Sequence, residues 1–373
     1  MGKCTCVAER CPTLKFLASD PMDTELLKLR ERVLAARAER RPLQLHGART
    51  KDFYGESTAG EPLDLSGYRG IIDYEPSELV MTARCGTRLS DIETALAEHG
   101  QFLGFEPPRL GGDPTLGGMI AAGLSGPRRI QVGAARDFVL GATLLAGDGE
   151  LLRFGGQVMK NVAGFDVSRL LCGSLGILGI ITQASIKVLP QPRAEETMRL
   201  EMPARDAVDA FNRWGGQPLP ISAAAWHEGA AWVRLSGAAA AVQAARAVIG
   251  GDRVFPVLAK KWWESLRHYM HPVYSDSLVW RVSLPATAPP LQLPVEPLID
   301  WAGALRWYSG DLQAFDVRGL ASAVGGTAMR WRGAGSGSRF HPLAPAIAEI
   351  HRRLKRSFDP EGIFNPGRLL ADM

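Results

Sequence analysis

The stretch from position 107 to 137 constrains this chain more than any other part of the sequence. It is rich in glycine and nearly free of acidic residues, and it reads PPRLGGDPTLGGMIAAGLSGPRRIQVGAARD. A chain places glycine where the backbone needs a positive φ or must approach another group closely. Bare backbone amides that crowd together also form a nest for an anion, usually a phosphate. The stretch therefore predicts a loop wrapped around a ligand that carries a diphosphate.

The length and composition are those of a globular protein with two domains. The 373 residues are 46% hydrophobic and 22% charged, and the net charge is +4. A balance so close to neutral argues against a protein built mainly to bind nucleic acid or an anionic membrane. No segment predicts a transmembrane helix, and the N-terminus does not predict a signal peptide.

The cysteines predict a reducing compartment. Their number is odd and their spacing is wide, which does not fit a disulfide framework; they stand at positions 4, 6, 11, 85 and 172. The three at the N-terminus suggest a metal or cluster site, but a closed tetrahedral site needs four ligands and no fourth lies nearby. The favoured interpretation is a disordered tail over residues 1–21, and no metal site is predicted.

Periodicity and turn residues predict a mixed order of helices and strands, which indicates an α+β protein. Helices are predicted over 22–41, 89–99, 204–214, 238–249 and 345–358. Strands are predicted over 43–46, 63–65, 71–74, 79–83, 138–145, 151–154, 179–189, 223–226, 231–235, 301–307 and 310–314. The proline-rich segment 287–297 predicts an extended connection.

Several nucleotide and metal motifs are absent from the sequence. There is no GxGxxG, no GxxxxGK[ST] and no HExxH. Glycines at 173, 176 and 179 have the wrong spacing for a dinucleotide fingerprint and precede a strand. A Rossmann domain is therefore not expected.

A set of strings nevertheless occurs in a specific order along the chain. They are the loop at 46–55, CGTRL at 85–89, FEPPRLGGDPTLGGMIAAGLSGPRR at 105–129, GAARDFVLG at 133–141, GGQVMKNVAGFDVSRLLCGSLGILG at 155–179 and FDPEGIFNPGRL at 358–369. Together they resemble the family of FAD-binding subunits of bacterial glycolate oxidase, within the vanillyl-alcohol-oxidase-type (PCMH-type) FAD-binding fold. FEPP, GPRR and VMKNVAGFD are specific to that family, whereas TLGG and NPG occur across the wider fold.

The resemblance implies an α+β architecture with a two-subdomain PCMH-type FAD-binding domain over 22–192. A cap domain on the substrate side would span 193–340, and a C-terminal helix and tail over 341–373 would return to the FAD-binding domain. The implied cofactor is FAD. Its pyrophosphate would lie on backbone amides of the 46–51 loop and of Gly117 and Gly118, while 133–137 and 176–180 would line the ribityl and adenine side.

Most of the predicted cofactor-binding residues belong to these loops. They are His46, Gly47, Ala48, Arg49, Thr50, Lys51, Pro114, Thr115, Gly117, Gly118, Ala121, Gly133, Arg136, Asp137, Asn161, Gly176, Gly179, Ile180 and Asn365. Related proteins carry a run of three glycines in the first loop, whereas this chain keeps only Gly47. If the loop needs a positive φ at Ala48 or Arg49, the residue there costs on the order of 1 kcal/mol.

The catalytic residues are less well marked. The related dehydrogenases carry a histidine-rich string that binds a metal and the hydroxy acid, and this chain has none. The candidates that remain are Lys160, Arg332 and His341. A surface role fits Lys160 as well as a role near the flavin, and a structural role is favoured for Arg332 and His341. Asn365 either contacts the cofactor or caps a turn. Covalent attachment of the flavin is not expected.

The resemblance implies a subunit that oxidises glycolate to glyoxylate and passes electrons to a partner. The implied partners are a second FAD-binding subunit and an iron–sulfur subunit. Two alternatives stay open: a subunit that serves assembly or electron relay without turnover, and a stand-alone FAD-linked oxidase of another 2-hydroxy acid. We expect a cytoplasmic protein, attached to the inner face of the cell membrane only through its partners.

Overall fold

The computed structural model of the chain describes residues 9–10, 21–156, 166–335 and 337–373. The cysteines at positions 4, 6 and 11 and the predicted site residues Lys160 and Asn161 lie outside the described residues. The α+β class predicted from the sequence is confirmed.

The described residues of the N-terminal half form three sheets, one long helix and several short helices. Its elements are β1 (Glu9–Arg10), α1 (Pro21–Ala38), β2 (Leu43–His46), β3 (Glu61–Asp64), β4 (Ile71–Glu75), β5 (Val80–Arg84), α2 (Leu89–Ala97), β6 (Gln101–Phe102), α3 (Leu116–Ala122), α4 (Arg129–Val132), β7 (Val139–Leu145), β8 (Leu151–Gly155), α5 (Val167–Leu170), β9 (Ile180–Lys187) and β10 (Leu189–Pro190). The main sheet is antiparallel, in the order β1-β8-β7-β9-β5-β4. Strands β2 and β3 form a separate parallel pair, and β6 pairs with β10.

The main sheet is held by a core on the side that carries α2 and α3. Strand β9 lies between β7 and β5, and six of its eight residues are buried. Met81 of β5, Leu144 of β7 and Ile186 of β9 pack with Leu89 of α2 and Ile120 of α3. Burial of these side chains places the first turn of α3 beside the ends of the strands that line the cleft described below.

The second half forms one eight-stranded antiparallel sheet covered by helices. Its elements are β11 (Ala194–Glu201), α6 (Ala204–Gly215), β12 (Ile221–His227), β13 (Ala230–Gly237), α7 (Ala239–Ile249), β14 (Asp252–Arg253), α8 (Pro256–Arg267), β15 (Val279–Ser283), β16 (Leu298–Asp300), β17 (Leu305–Ser309), α9 (Val317–Ala323), β18 (Thr327–Arg332) and α10 (Pro345–Phe358). The strand order is β14-β11-β13-β12-β16-β17-β15-β18. Phe211 and Trp214 of α6 and Val242 of α7 pack on Trp226 and Val233 of the sheet.

The C-terminal segment lies against the first sheet. The ammonium group of Lys355 in α10 donates to the carbonyl oxygens of Ile177 and Phe364, each at 2.7 Å, and to Asp359 at 2.6 Å. Phe364 also forms a parallel bridge with Leu43. These contacts bring the tail next to the end of β2.

Two expectations from the sequence were wrong at the level of elements. The predicted strand over 310–314 is absent, because the chain leaves β17 through Gly310 with a φ of +117° and continues as turns. The predicted strand over 301–307 is split into a 3₁₀ turn, Trp301–Gly303, and β17. Helix α3 was missed because two of its seven residues are glycine, which lowers intrinsic helix propensity. No helix among the described residues is long and apolar enough to cross a membrane.

Candidate functional site

A loop at the end of β2 forms the first wall of a cleft. Strand β2 pairs with β3 as far as His46, and the chain then turns away with Arg49 at a φ of +58°. Among the residues that the structure describes, the backbone N–H groups from Gly47 to Lys51 find no hydrogen-bond acceptor. A run of free amides around a residue of positive φ has the form of an anion-binding nest.

Helix α3 forms the second wall, but its first amides are already used. The N–H of Gly117 donates to the carbonyl of Cys85 at 2.8 Å, and the N–H of Gly118 donates to the Thr115 hydroxyl at 3.2 Å. Thr115 thus caps the helix, as threonine does at many helix starts. The expectation that these two amides bind the pyrophosphate does not fit this arrangement, and the amides of the 47–51 loop are the ones left free.

The glycines here serve close approach. A Cβ atom on Gly47 would lie 2.4 Å from the Thr115 hydroxyl oxygen, so only glycine lets the loop rest on the start of α3. A Cβ atom on Gly118 would meet only that same oxygen, at 3.2 Å, and otherwise points into open space of the cleft. Glycine at 118 therefore keeps room for a ligand rather than for a neighbouring side chain.

The third wall comes from residues 175–181 and is fastened by Asn365. The side-chain amide nitrogen of Asn365 donates to the Leu175 carbonyl, and its oxygen accepts from the Leu45 N–H, both at 2.7 Å. Both polar groups of the buried Asn365 are therefore bonded to backbone. Of the two roles considered for Asn365, the structure shows a structural one.

Positive charge accumulates beside the free amides. Burial lowers the pKa of Lys51 to about 8, and its ammonium contacts only the Thr50 hydroxyl, at 3.3 Å, among the described residues. The guanidinium of Arg368 donates to the carbonyls of Lys51, Asp52 and Glu56, and it thereby holds the loop in place. A partly buried lysine with no acidic partner among the residues that the structure describes favours an anionic ligand.

His46 adds an unsatisfied polar atom at the same place. Its Nδ1 is buried without a hydrogen-bond partner in the described part of the chain, and the nearest carboxylate oxygen, of Asp64, is 3.8 Å away. Free amides, a buried lysine and an orphaned imidazole nitrogen together suit the diphosphate of FAD.

The cleft consists of adjoining cavities of about 90, 80 and 160 Å³ that share Leu45, His46 and Asn365. Ligand sites usually measure roughly 300 to 1,000 Å³. Together the adjoining cavities reach the lower end of that range and have room for the phosphates. Predicted residues that line it are His46, Gly47, Ala48, Arg49, Thr50, Lys51, Pro114, Thr115, Gly117, Gly118, Ala121, Gly176, Gly179, Ile180 and Asn365.

Some predicted residues lie elsewhere. Gly133, Arg136 and Asp137 do not line these cavities. Gly133 ends α4, and Asp137 closes the following 3₁₀ turn by accepting from the Ala134 N–H at 2.8 Å. In this structure they form a local turn outside the three cavities, and their contact with a cofactor stays a prediction.

Sequence reasoning missed other residues of the cleft. They are Gln44, Leu45, Asp52, Tyr54, Ser57, Thr58, Leu65, Cys85, Ala122, Leu175, Ile181 and Arg368. Arg368 was within reach, because it directly follows the NPG string at the end of the chain. The apolar ones carry no chemical signal, since burial alone makes them resemble ordinary core residues.

Two catalytic candidates, Arg332 and His341, are not at the cleft. Arg332 is exposed at the end of β18. His341 accepts from the Ala328 N–H at 3.2 Å and lies 3.4 Å from the Ser322 hydroxyl, so it stabilises the edge of the second sheet. The third candidate, Lys160, lies outside the described residues.

An aromatic cluster, which the sequence reasoning did not anticipate, connects the cleft to the second sheet. Tyr54, which lines the cleft, lies 5.5 Å from Trp331 of β18 between ring centroids. The Trp331 ring also contacts those of Tyr269 and Trp307, with centroid distances of 4.9 and 5.1 Å. Burial raises the pKa of both Tyr54 and Tyr269, so these phenols are neutral at physiological pH.

Comparison with known proteins gives matches along nearly the whole chain. A family model described as "FAD binding domain" matches residues 25–155. The glycolate oxidase subunit GlcE of Escherichia coli (strain K12) is 46% identical over 346 residues, which cover 92% of this chain and 97% of that protein. The glycolate oxidase subunit GlcD of Bacillus subtilis (strain 168) is 34% identical over 128 residues, which cover 34% of this chain and 27% of that protein.

Solved structures agree on the fold. A structure of alkyldihydroxyacetonephosphate synthase superposes with a TM-score of 0.63 and covers 91% of this chain and 74% of its own, at 15% sequence identity. At that identity the likeness concerns architecture alone. The sheet order, the cleft and the family match thus point to the same FAD-binding fold.

Proposed function

Because the chain belongs to the family of the glycolate oxidase protein GlcE, we propose that it is the FAD-binding subunit of a complex that oxidises glycolate to glyoxylate. One observation carries the proposal. Within the described part of the chain, the backbone amides of Gly47 to Lys51 remain free beside the partly buried ammonium of Lys51, in a cleft walled by glycines. That donor set matches a diphosphate.

The chain's own residues would divide the binding of FAD among them. The loop amides and Lys51 hold the phosphates, while Arg368 and Asn365 fix the positions of the loop and of the 175–181 wall. The apolar side of the cleft, with Ile180 and Ile181, suits the adenine. Bound FAD supplies a hydride acceptor for a 2-hydroxy acid.

The partners we propose are a second FAD-binding subunit and an iron–sulfur subunit that takes the electrons onward. Support comes from the relatives, since both matched glycolate oxidase proteins are named as subunits. We further propose that the complex works in the cytoplasm and reaches the inner face of the membrane only through those partners.

A second candidate function is electron relay or assembly without substrate turnover by this chain. It is favoured by the positions of Arg332 and His341, which lie away from the cleft. Under this alternative, FAD still binds, but glycolate reacts on the partner flavoprotein.

An anaerobic titration with glycolate distinguishes the two candidates. The FAD-loaded chain and the FAD-loaded complex are each mixed with excess glycolate, and flavin absorbance is followed. We expect the complex to bleach and the isolated chain to bleach little. Rapid, complete bleaching of the isolated chain would remove the relay alternative, and failure of the complex to bleach would remove glycolate as the substrate.

A further inference from the structure

Two arginines meet on one indole ring between the two halves of the chain. The guanidinium carbon of Arg129, in α4, lies 4.1 Å from the ring centroid of Trp301. The guanidinium carbon of Arg281, in β15, lies 5.2 Å from the same centroid and 5.8 Å from that of Trp307. The indole faces attract both cations and bring like charges together.

This pair lacks a full counter-charge. No carboxylate among the described residues lies within 4.0 Å of either guanidinium, and the Arg281 Nε is buried without a hydrogen-bond partner. Burial, together with the charges of Arg281 and Arg136, lowers the pKa of Arg129. Like charges that are partly removed from water cost free energy unless an anion joins them.

The nearby acids are already occupied or partly neutral. Asp300 is buried, accepts from the Trp301 N–H at 2.7 Å, and has a pKa raised by burial to about 7. It therefore carries only part of a charge near neutral pH. Asp137 lies 3.5 Å from Arg169 and closes its own turn. Asp137 attracts Arg129 and Asp300 attracts Arg281, so the two acids offset only part of the charge of the pair.

A cavity of about 310 Å³ opens beside the pair. Its walls are Arg129, Ile130, Ser283, Leu284, Trp301 and Ala304. None of these residues lines the glycine-walled cleft, so the two spaces are separate. The cavity offers one guanidinium, one hydroxyl and short apolar walls, a combination suited to a small organic anion with a second polar group.

We propose that this cavity binds a small organic carboxylate. The Arg129 guanidinium hydrogen-bonds the carboxylate group, and the Ser283 hydroxyl hydrogen-bonds the second polar group of the ligand. Arg281, which also contacts the Trp301 ring, adds positive charge nearby. Planar guanidinium groups match carboxylate geometry by two parallel hydrogen bonds. The proposal deepens the proposed function, on which it rests, because glycolate and glyoxylate are carboxylates of this size.

The test is calorimetric titration of the FAD-loaded chain with oxalate, a probe that a flavin does not oxidise as a 2-hydroxy acid. Acetate and inorganic phosphate are titrated in parallel. We expect oxalate to bind, acetate to bind more weakly because it offers Ser283 no second group, and phosphate to bind more weakly still. Phosphate binding as tight as oxalate binding would overturn the assignment to a carboxylate.

Variants locate the site. Arg129→Met and Arg281→Met should each weaken oxalate binding by about tenfold or more, in line with loss of a charged hydrogen bond or a neighbouring charge. Arg129→Lys should recover part of the affinity, since it restores the charge without the planar fork. Arg213→Met is the matched control. The guanidinium carbon of Arg213, in α6, also lies over a tryptophan ring, 5.9 Å from the centroid of Trp214, but Arg213 does not line the cavity.

FAD content is measured on every variant, which separates this proposal from the proposed function. Retained FAD with lost oxalate binding supports a separate carboxylate site. Oxalate binding that is absent in the parent chain, or unchanged in Arg129→Met, overturns the proposal while FAD binding stands. Loss of FAD in Arg129→Met would place the arginine in the flavin cleft and would overturn it as well. A chain without FAD that still binds oxalate would contradict the proposed function alone.

Discussion

Asn365 and Leu45 are joined by a hydrogen bond of 2.7 Å in which the side-chain oxygen of Asn365 accepts from the backbone N–H of Leu45, 320 residues earlier. Leu45 belongs to β2, which leads directly into the loop of free amides. The tail of the chain therefore sets the position of the proposed phosphate-binding loop through this bond and the bond from Asn365 to the Leu175 carbonyl.

We predict that Asn365→Ala weakens both stability and FAD binding. The Leu45 N–H and the Leu175 carbonyl would each lose a partner in a buried place, which costs about 1 to 3 kcal/mol per group. Denaturant unfolding and an FAD titration measure the two effects. Asn212→Ala is the control, because Asn212 also donates to two carbonyls, those of Val208 and Ala286, but in the second half of the chain. It should lower stability and leave FAD affinity unchanged; equal loss of affinity in both variants would contradict the positioning role.

The affinity for FAD should fall as pH rises through about 8. The free chain has Lys51 with a pKa lowered to about 8 by burial, and a bound diphosphate would raise that pKa because it stabilises the ammonium. Binding therefore takes up a proton above pH 8, and higher pH opposes it. Titrations from pH 7 to 9.5 should show this slope in the parent chain and a flat, weaker profile in Lys51→Met. If FAD affinity depended on pH equally in the parent chain and in Lys51→Met, the proton taken up on binding would belong to another group.

The stability of the FAD-free chain should rise with pH because of Lys51, whereas the affinity for FAD should fall. The unfolded lysine keeps its proton to its ordinary pKa of 10.5, whereas the folded one releases it near 8. Between these values the unfolded state binds more protons, so the free energy of unfolding rises with pH there. Comparison of the parent chain with Lys51→Met by denaturant unfolding, without FAD, isolates this contribution. A larger rise in the variant than in the parent would contradict it.

Gly118→Val should remove FAD from a folded protein. The added side chain meets only the Thr115 hydroxyl at 3.2 Å and would fill the open space of the cleft. We expect FAD affinity to fall by at least about a hundredfold, with a melting temperature close to that of the parent, as for a tolerated surface change. Gly215→Val is the control, because a Cβ atom there meets nothing within 4 Å and lies outside the cleft. Normal FAD content in Gly118→Val would place the phosphates elsewhere.

The ion pair of Lys355 and Asp359 should matter mainly for stability. The pair is buried, and removing one partner from a buried pair typically costs about 3 to 5 kcal/mol. We expect Asp359→Asn and Lys355→Met each to destabilise strongly, and the double variant to destabilise less than the two single effects added together. Strict additivity in urea unfolding would show that the pair does not act as a unit.

The sequence allowed us to predict where the backbone needs glycine, but it did not allow us to predict contacts between distant segments. Gly47 and Gly118 could be placed at the cleft because close approach leaves glycine as its mark. The same reasoning predicted Gly133 at the cofactor, whereas the structure has it at the end of α4, outside the three cavities of the cleft. The use of the Gly118 amide by Thr115 could not be read from residue types, since it depends on how the loop and α3 pack.

The structure of the second half of the chain was the hardest to predict from the sequence. Arg129 and Arg281 are 152 positions apart, and only the packing of Trp301 brings them together. The aromatic cluster around Trp331 likewise joins residues from distant segments. Strand β15 was missed because Arg281 interrupts its apolar pattern, and the partial burial of that arginine is explained only by its contacts with Trp301 and Trp307.

The most direct test of the central claim is the flavin content of the isolated chain. The purified protein is examined by absorbance, denatured to release the cofactor, and the released flavin is quantified against protein. The account predicts one FAD per chain, either as purified or after incubation with added FAD. A folded, colourless protein that takes up no FAD would contradict it.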